Sequence, residues 1–129
     1  MQEGDKFCES YNINEDIYKG FISLFKDDNP LHINSAFAIS KNFKDKVMHG
    51  AILAGFLSHF IGVCLPIKNV LVQTYELHFL KPIFINDQLF FEATVIGIFE
   101  SVNTIEFKYK FLTSNKTIVA KGKILISII

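Results

Sequence analysis

The residues best suited to chemistry lie between Asp27 and His32 and at His49-Gly50. A carboxylate and an imidazole stand five positions apart here, on either side of the bend that Pro30 imposes. Such a pair can hold and deprotonate a water molecule, and the free N–H groups at a helix start can stabilise negative charge on a carbonyl oxygen. These residues point to the addition of water to an activated acyl chain, or to its removal.

The composition fits a single domain, residues 1–129, with a hydrophobic core. Half of the residues are apolar, and thirteen acidic residues balance thirteen basic ones. The lysines form no stripe of the kind that nucleic acids require, so we expect no nucleic-acid partner. No arginine is present. A bound phosphate would therefore be met by lysine, backbone N–H groups or a helix N-terminus.

Several features lead us to expect a cytoplasmic protein that crosses no membrane. Cys8 and Cys64, the only cysteines, are typical of buried, reduced thiols. The first seven residues are polar and acidic, unlike an export signal. The apolar run 51–66 is too short to span a membrane and is interrupted by Ser58 and His59.

Helical spacing predicts a first helix that Asn14 caps and that Asn29-Pro30 stops. A short helical turn is expected at 34–40. The segment 50–63 is apolar on nearly every side, which predicts a long helix enclosed by the fold and ended by Pro66.

The strands show a period of two residues. A short strand is expected at 6–13, a bent strand at 71–79, and three more at 88–98, 104–112 and 117–128. Helical material followed by an antiparallel meander is an α+β layout. A curved sheet wrapped around a long central helix would bury that helix, and this arrangement is the hotdog fold. Its edge strands commonly pair between subunits, so we expect a homodimer.

The motifs also resemble those of a known family. They are Asp27-x-Asn29-Pro30-Leu31-His32, Ala36-Phe37-Ala38 and Val47-Met48-His49-Gly50. Together they resemble the MaoC-like hotdog dehydratases, especially the small single-domain (R)-specific enoyl-CoA hydratases, over nearly the whole chain. The chain departs from the family pattern at Phe25-Lys26, where Ser/Thr-Gly is common.

The resemblance implies a role for each matching residue. Asp27 and His32 would hold and activate the water, and the Gly50 backbone N–H would bind the thioester oxygen. Asn29 would order the catalytic loop, and Ser58 would support the site. The implied substrate is an acyl-CoA or acyl-carrier-protein thioester, with no cofactor.

Each residue also has a plainer interpretation. Asp27 could be only a turn former, His32 a core histidine, and Ser58 a small residue on a buried helix. Asp28 is interpreted as a solvated turn acid, and we assign a structural role to His49, as to His59 and His78. No Cys/His spacing indicates a metal site, and no Gly-rich phosphate loop is present.

Four functions stay open at this point. The first is hydration of trans-2-enoyl-CoA, and the second is the same chemistry on an acyl-carrier-protein substrate. The third is a hotdog thioesterase, which usually carries an acid on the central helix or a facing strand, whereas 50–66 contains none. The fourth is a non-catalytic acyl-thioester-binding module, which would not need a water-activating pair.

Overall fold

A computed structural model describes all 129 residues, which form one antiparallel sheet with the two longest helices packed against its inner face. The strands are β1 (Lys6–Asn12), β2 (Val70–Tyr75), β3 (His78–Phe79), β4 (Gln88–Phe99), β5 (Thr104–Leu112) and β6 (Ile118–Ile128). The helices are α1 (Glu15–Phe25), α2 (Pro30–Ile33), α3 (Ser35–Ser40) and α4 (Ala51–His59). A π-helical turn (Phe60–Cys64) continues α4, and a 3₁₀ turn (Glu100–Val102) follows β4.

The sheet runs in the order β1-β4-β5-β6-β2, with β3 pairing to another part of β6. All of these pairings are antiparallel. Alternate residues of β4 and β5 point inward and meet α4, as shown by the fully buried Phe91, Phe107 and Phe111. The core of 24 residues therefore lies between the sheet and the central helix, which confirms the hotdog architecture.

The central helix differs from the prediction on one side. Leu53 and Phe60 are fully buried against the sheet, but Ala51, Gly55 and Ser58 are exposed. The helix is thus enclosed over only half of its circumference. The exposed side carries small, weakly hydrophobic residues. In the sequence these residues make the helix look apolar on nearly every side, so the exposed side could not be distinguished from the buried one.

Two local predictions were also wrong. Asn29-Pro30 does not merely stop α1, which has already ended at Phe25, but begins α2 with Asn29 as its N-cap. The strand expected at 71–79 is divided at Glu76-Leu77 into β2 and β3, and β2 itself contains a register shift between Val72 and Thr74. A bulge inserts one unpaired residue and so interrupts the period of two.

Both cysteines are free, but Cys8 is exposed rather than buried, and Cys64 is partly exposed. No helix is long and apolar enough to cross a membrane.

Candidate active site

The loop between α1 and α2 places Asp27 at the protein surface. Asn14 accepts a hydrogen bond from the Ile17 N–H at the start of α1, and Lys26 ends that helix in the left-handed conformation with φ +62°. Asn29 stabilises this loop through hydrogen bonds to one residue before it and one residue after it. Its N–H donates to Asp27 Oδ1 at 3.3 Å, and its side-chain oxygen accepts from the Leu31 N–H at 3.0 Å.

His32 is held in one orientation and one tautomer. Its Nδ1–H donates to the Val47 carbonyl at 2.7 Å, because a carbonyl oxygen can only accept. The Tyr18 hydroxyl donates to the His32 carbonyl at 2.6 Å. In the neutral ring Nε2 therefore carries a lone pair, and this atom lies 3.9 Å from Asp27 Oδ2.

That separation is too long for a direct hydrogen bond between the two side chains. It does leave room for a single oxygen atom that is hydrogen-bonded to both the Asp27 carboxylate and His32 Nε2. The Asp27 side chain is 48% exposed and the His32 side chain 17% exposed. The pair is thus open on the Asp27 side, from which a small polar group can approach.

Gly50 directly precedes the first residue of α4 and makes no hydrogen bond through its own N–H. The Ala51 N–H is likewise free. Free N–H groups and the helix dipole give such a position partial positive charge. Gly50 and His32 line the same cleft of about 380 Å³, together with Phe43, Phe79 and Lys81.

A second and larger cleft lies on the Asp27 side, between α1 and α4. Its volume is about 830 Å³, within the usual range for small-molecule sites. Apolar residues dominate its wall, including Ile17, Phe21, Ile52 and Phe56. Asp27 and His32 thus lie between an apolar cleft and the cleft that contains the helix start.

His49 connects the two parts of the site. Its Nε2–H donates to the Asp27 carbonyl at 2.8 Å, and its ring stacks on that of His32 with centroids 4.0 Å apart. These contacts could not be predicted from the sequence pattern, since they join residues 22 and 17 positions apart. The contact of Tyr18 with His32 was also missed, although a tyrosine among buried residues normally needs a partner for its hydroxyl.

Ser58 is not part of this group within one chain. It lies on the exposed side of α4, eight residues after Gly50, or about 12 Å along the helix axis. It lines a separate cleft formed by α4 and β2, together with Leu57 and Leu71. The structure therefore brings Asp27, Asn29, His32 and Gly50 together and leaves Ser58 apart.

The site contains three potential metal ligands, Asp27, His32 and His49, whose ligand atoms lie within 4.8 Å of one another. Their arrangement suits a metal poorly. The two imidazole planes are stacked at 29°, so their in-plane lone pairs do not converge on one point. One nitrogen of each ring also already donates to a backbone carbonyl. We assign the three residues no metal.

A hotdog sheet, a carboxylate–imidazole pair and a free helix start together define the dehydratase and hydratase class of this fold. Residues 2–117 match the family model described as "MaoC like domain". The chain belongs to the MaoC-like domain family.

Three comparisons make this membership more specific. The chain is 32% identical over 127 residues to an (R)-specific enoyl-CoA hydratase of Rhodospirillum rubrum, covering 98% of this chain and 83% of that one. A solved (R)-hydratase of Aeromonas caviae superposes with a TM-score of 0.90 and 26% identity, covering 100% and 98% of the two chains. A mitochondrial 3-hydroxyacyl-[acyl-carrier-protein] dehydratase of Solanum lycopersicum is 30% identical, covering 98% and 73%.

Proposed function

We propose that this protein is a hydro-lyase that adds water to trans-2-enoyl-CoA to give (R)-3-hydroxyacyl-CoA, and that catalyses the reverse dehydration. The observation that carries the proposal is the 3.9 Å separation of His32 Nε2 and Asp27 Oδ2 beside the free N–H of Gly50. Membership of the MaoC-like family and the likeness to two (R)-hydratases support it.

The geometry suggests how the reaction proceeds. A water molecule donates one hydrogen to Asp27 Oδ2 and the other to His32 Nε2, which leaves an oxygen lone pair free to attack C3. As the C3–O bond forms, either Asp27 or His32 takes a proton from the attacking water. The electrons of the C2–C3 double bond then move toward the thioester oxygen. The Gly50 N–H stabilises that oxygen, and the same acid then protonates C2.

The acid–base pair and the oxyanion donor are each expected to raise the reaction rate substantially. General acid–base catalysis typically provides about 10²–10⁴ in rate. One oxyanion donor is worth about 10²–10³ in kcat. Because Asp27 and His32 are adjacent, both the hydroxyl group and the proton are delivered from one side, which predicts syn addition.

The apolar cleft beside Asp27 is the proposed site of the acyl chain. Phe56 lines this cleft and can limit the length of the acyl group, whereas Phe43 lines the cleft of His32. Phe60 and Leu65 are buried in the core and do not line either cleft. Lys81 lines the cleft of His32 and Gly50 and is available to a phosphate of the carrier group.

We further propose that the enzyme works as a homodimer in the cytoplasm without a cofactor. The edge strand β2 exposes Leu71, Val72 and Tyr75, and the small residues of α4 lie exposed beside it. An exposed apolar edge is normally paired or covered. A second copy that pairs along β2 would cover both surfaces. Full activity after EDTA treatment would support the absence of a metal, and loss of activity would contradict it.

The direct test is the loss of ultraviolet absorbance of the enoyl-thioester on mixing purified protein with crotonyl-CoA, with chiral analysis of the product. Rapid loss that yields the (R)-3-hydroxy product supports the proposal. The (S) product would contradict the proposed stereochemistry. Release of free thiol without hydration would instead indicate a thioesterase, although the central helix carries no acid.

The second candidate is dehydration of a 3-hydroxyacyl group on an acyl-carrier protein. The similarity to the Solanum lycopersicum dehydratase favours it. The same crotonyl group presented on CoA and on a carrier protein separates the two functions. A kcat/KM at least tenfold higher on the carrier protein would favour this candidate over the first.

A further inference from the structure

His49 makes one polar contact from a fully enclosed position. The residue is 2% exposed, and its Nε2–H donates to the Asp27 backbone carbonyl at 2.8 Å. The bond spans 22 positions of the chain and fixes the loop that carries the Asp27 carboxylate. No other side chain bonds to the backbone of Asp27.

The second nitrogen of His49 is buried without a hydrogen-bond partner. Because Nε2 carries the proton, Nδ1 of the neutral ring holds an unsatisfied lone pair. Leaving a buried acceptor unpaired is unfavourable, and a phenyl ring would fill the same space without that penalty. The imidazole has one advantage over a phenyl ring, which is its N–H donor to the Asp27 carbonyl.

The ring of His49 also sets the position of the other member of the pair. It stacks on His32 with centroids 4.0 Å apart, and Phe21 packs against it at 4.6 Å. His49 thus contacts the backbone of Asp27 and the ring of His32 at once. It is also bonded covalently to Gly50, whose N–H is the proposed oxyanion donor.

We infer that His49 is a positioning residue, which sets the separation of the Asp27 carboxylate from His32 Nε2 and ties that pair to the start of α4. This inference rests on the proposed function and deepens it. In the proposed mechanism His49 transfers no proton. It acts through the hydrogen bond to the Asp27 carbonyl and through the face of its ring, and it replaces the structural role assigned from the sequence.

Two variants separate this role from simple packing. His49→Phe keeps a flat ring but has no donor, and His49→Gln keeps an N–H donor at a similar reach. We expect His49→Phe to lower kcat about 10- to 100-fold, since a misplacement of about 1 Å can cost about 10²-fold. KM should stay within about threefold and Tm close to wild type, because the phenyl ring also removes the unsatisfied Nδ1.

His49→Gln should recover most of the lost kcat. His78→Phe is the matched control, since His78 is exposed on β3 and is expected to leave kcat unchanged. A wild-type kcat in His49→Phe would overturn the inference. So would equal losses of kcat in both His49 variants with parallel losses of Tm, because that result would indicate packing alone.

A readout without turnover keeps this inference distinct from the proposed function. Hydrogen exchange of the Asn29 amide reports the order of the catalytic loop, since that N–H bonds to Asp27 Oδ1. We expect faster exchange in His49→Phe and near wild-type exchange in His49→Gln. If wild-type protein fails to hydrate crotonyl-CoA, the proposed function fails, whereas unchanged Asn29 exchange in His49→Phe overturns the inference.

Discussion

The ring of Phe79 lies so close to Gly50 that a Cβ atom on residue 50 would stand 2.7 Å from Phe79 Cε1. Gly50 has φ −59° and ψ −33°, which any residue adopts. The requirement for glycine is therefore steric rather than conformational. Phe79 reaches this point from β3, so the sheet and the start of α4 meet where the thioester oxygen is proposed to bind.

Gly50→Ala is expected to push the Phe79 ring aside and to cost about 1 kcal/mol of unfolding free energy, at the low end for overpacking because the ring is half-exposed. In a Phe79→Ala background the same substitution should cost less than half as much. Urea unfolding of the two single variants and the double variant measures this coupling. Additive costs would contradict the steric interpretation.

Asp27→Asn tests the proposed water-activating pair of Asp27 and His32. The amide keeps the size of the side chain but cannot accept a proton, so kcat for hydration should fall about 10²–10⁴-fold. The side chain is half-exposed, so Tm should change little. Asp28→Asn is the matched control, since Asp28 is exposed and makes no side-chain hydrogen bond, and it should keep wild-type activity. Wild-type kcat in Asp27→Asn would refute the mechanism.

Lys26→Gly tests the point at which the chain departs from the family pattern. Lys26 adopts φ +62°, a left-handed conformation that costs a non-glycine residue about 1–2 kcal/mol. Glycine adopts it freely but loses more entropy on folding, so we expect a net gain of about 0.5–1 kcal/mol in the free energy of unfolding. Denaturant titration measures the gain, and a loss of stability would show that the Lys26 side chain contributes more than its strained backbone costs.

Leu71→Lys tests the proposed dimer. Leu71 is 58% exposed on the edge strand β2, and a charge there should oppose pairing with a second copy. Sedimentation velocity is expected to give a dimer for the wild type and a monomer for this variant. Val102→Lys is the control, because Val102 is at least as exposed as Leu71 but lies in the turn after β4. A wild-type monomer, or a dimer that survives Leu71→Lys, would contradict the proposal.

The sequence predicted best those features that depend on local pattern. The bounds of β5 (Thr104–Leu112) match the predicted strand because apolar and polar residues alternate there without interruption. The cap of α1 at Asn14 was also correct, since the side-chain contact spans only three residues. The spacing of Asp27 and His32 is local too, and α2 brings the two residues together as the motif implied.

The features that the sequence did not predict depend on distant contacts. The half-exposed surface of α4 follows from what the sheet covers, and hydrophobicity alone does not say which side that is. The bond from His49 to the Asp27 carbonyl and the contact of Phe79 with Gly50 join separate elements. Ser58 lies on α4, the helix whose start forms part of the site. Its position further along the helix axis places it in a different cleft from Asp27 within one chain.

Tyr109 gives the fold a predicted sensitivity to alkaline pH. Its hydroxyl donates to the Glu76 carbonyl at 2.6 Å, and burial, with smaller contributions from Tyr75 and Glu76, raises the pKa of its phenol above the usual value of 10.0. The folded protein therefore keeps this proton at a pH at which the unfolded chain loses it. The resulting stability is fully present below about pH 10 and declines as the pH rises further.

Tyr109→Phe has no proton to lose. Near pH 7 we expect it to be about 1 kcal/mol less stable, because the hydrogen bond to Glu76 is gone. Above pH 10 its stability should fall less steeply than that of the wild type. Some decline should remain, since burial also raises the pKa of Tyr11. Urea unfolding between pH 7 and pH 11 measures both slopes, and identical alkaline slopes would rule out Tyr109 as a source of the effect.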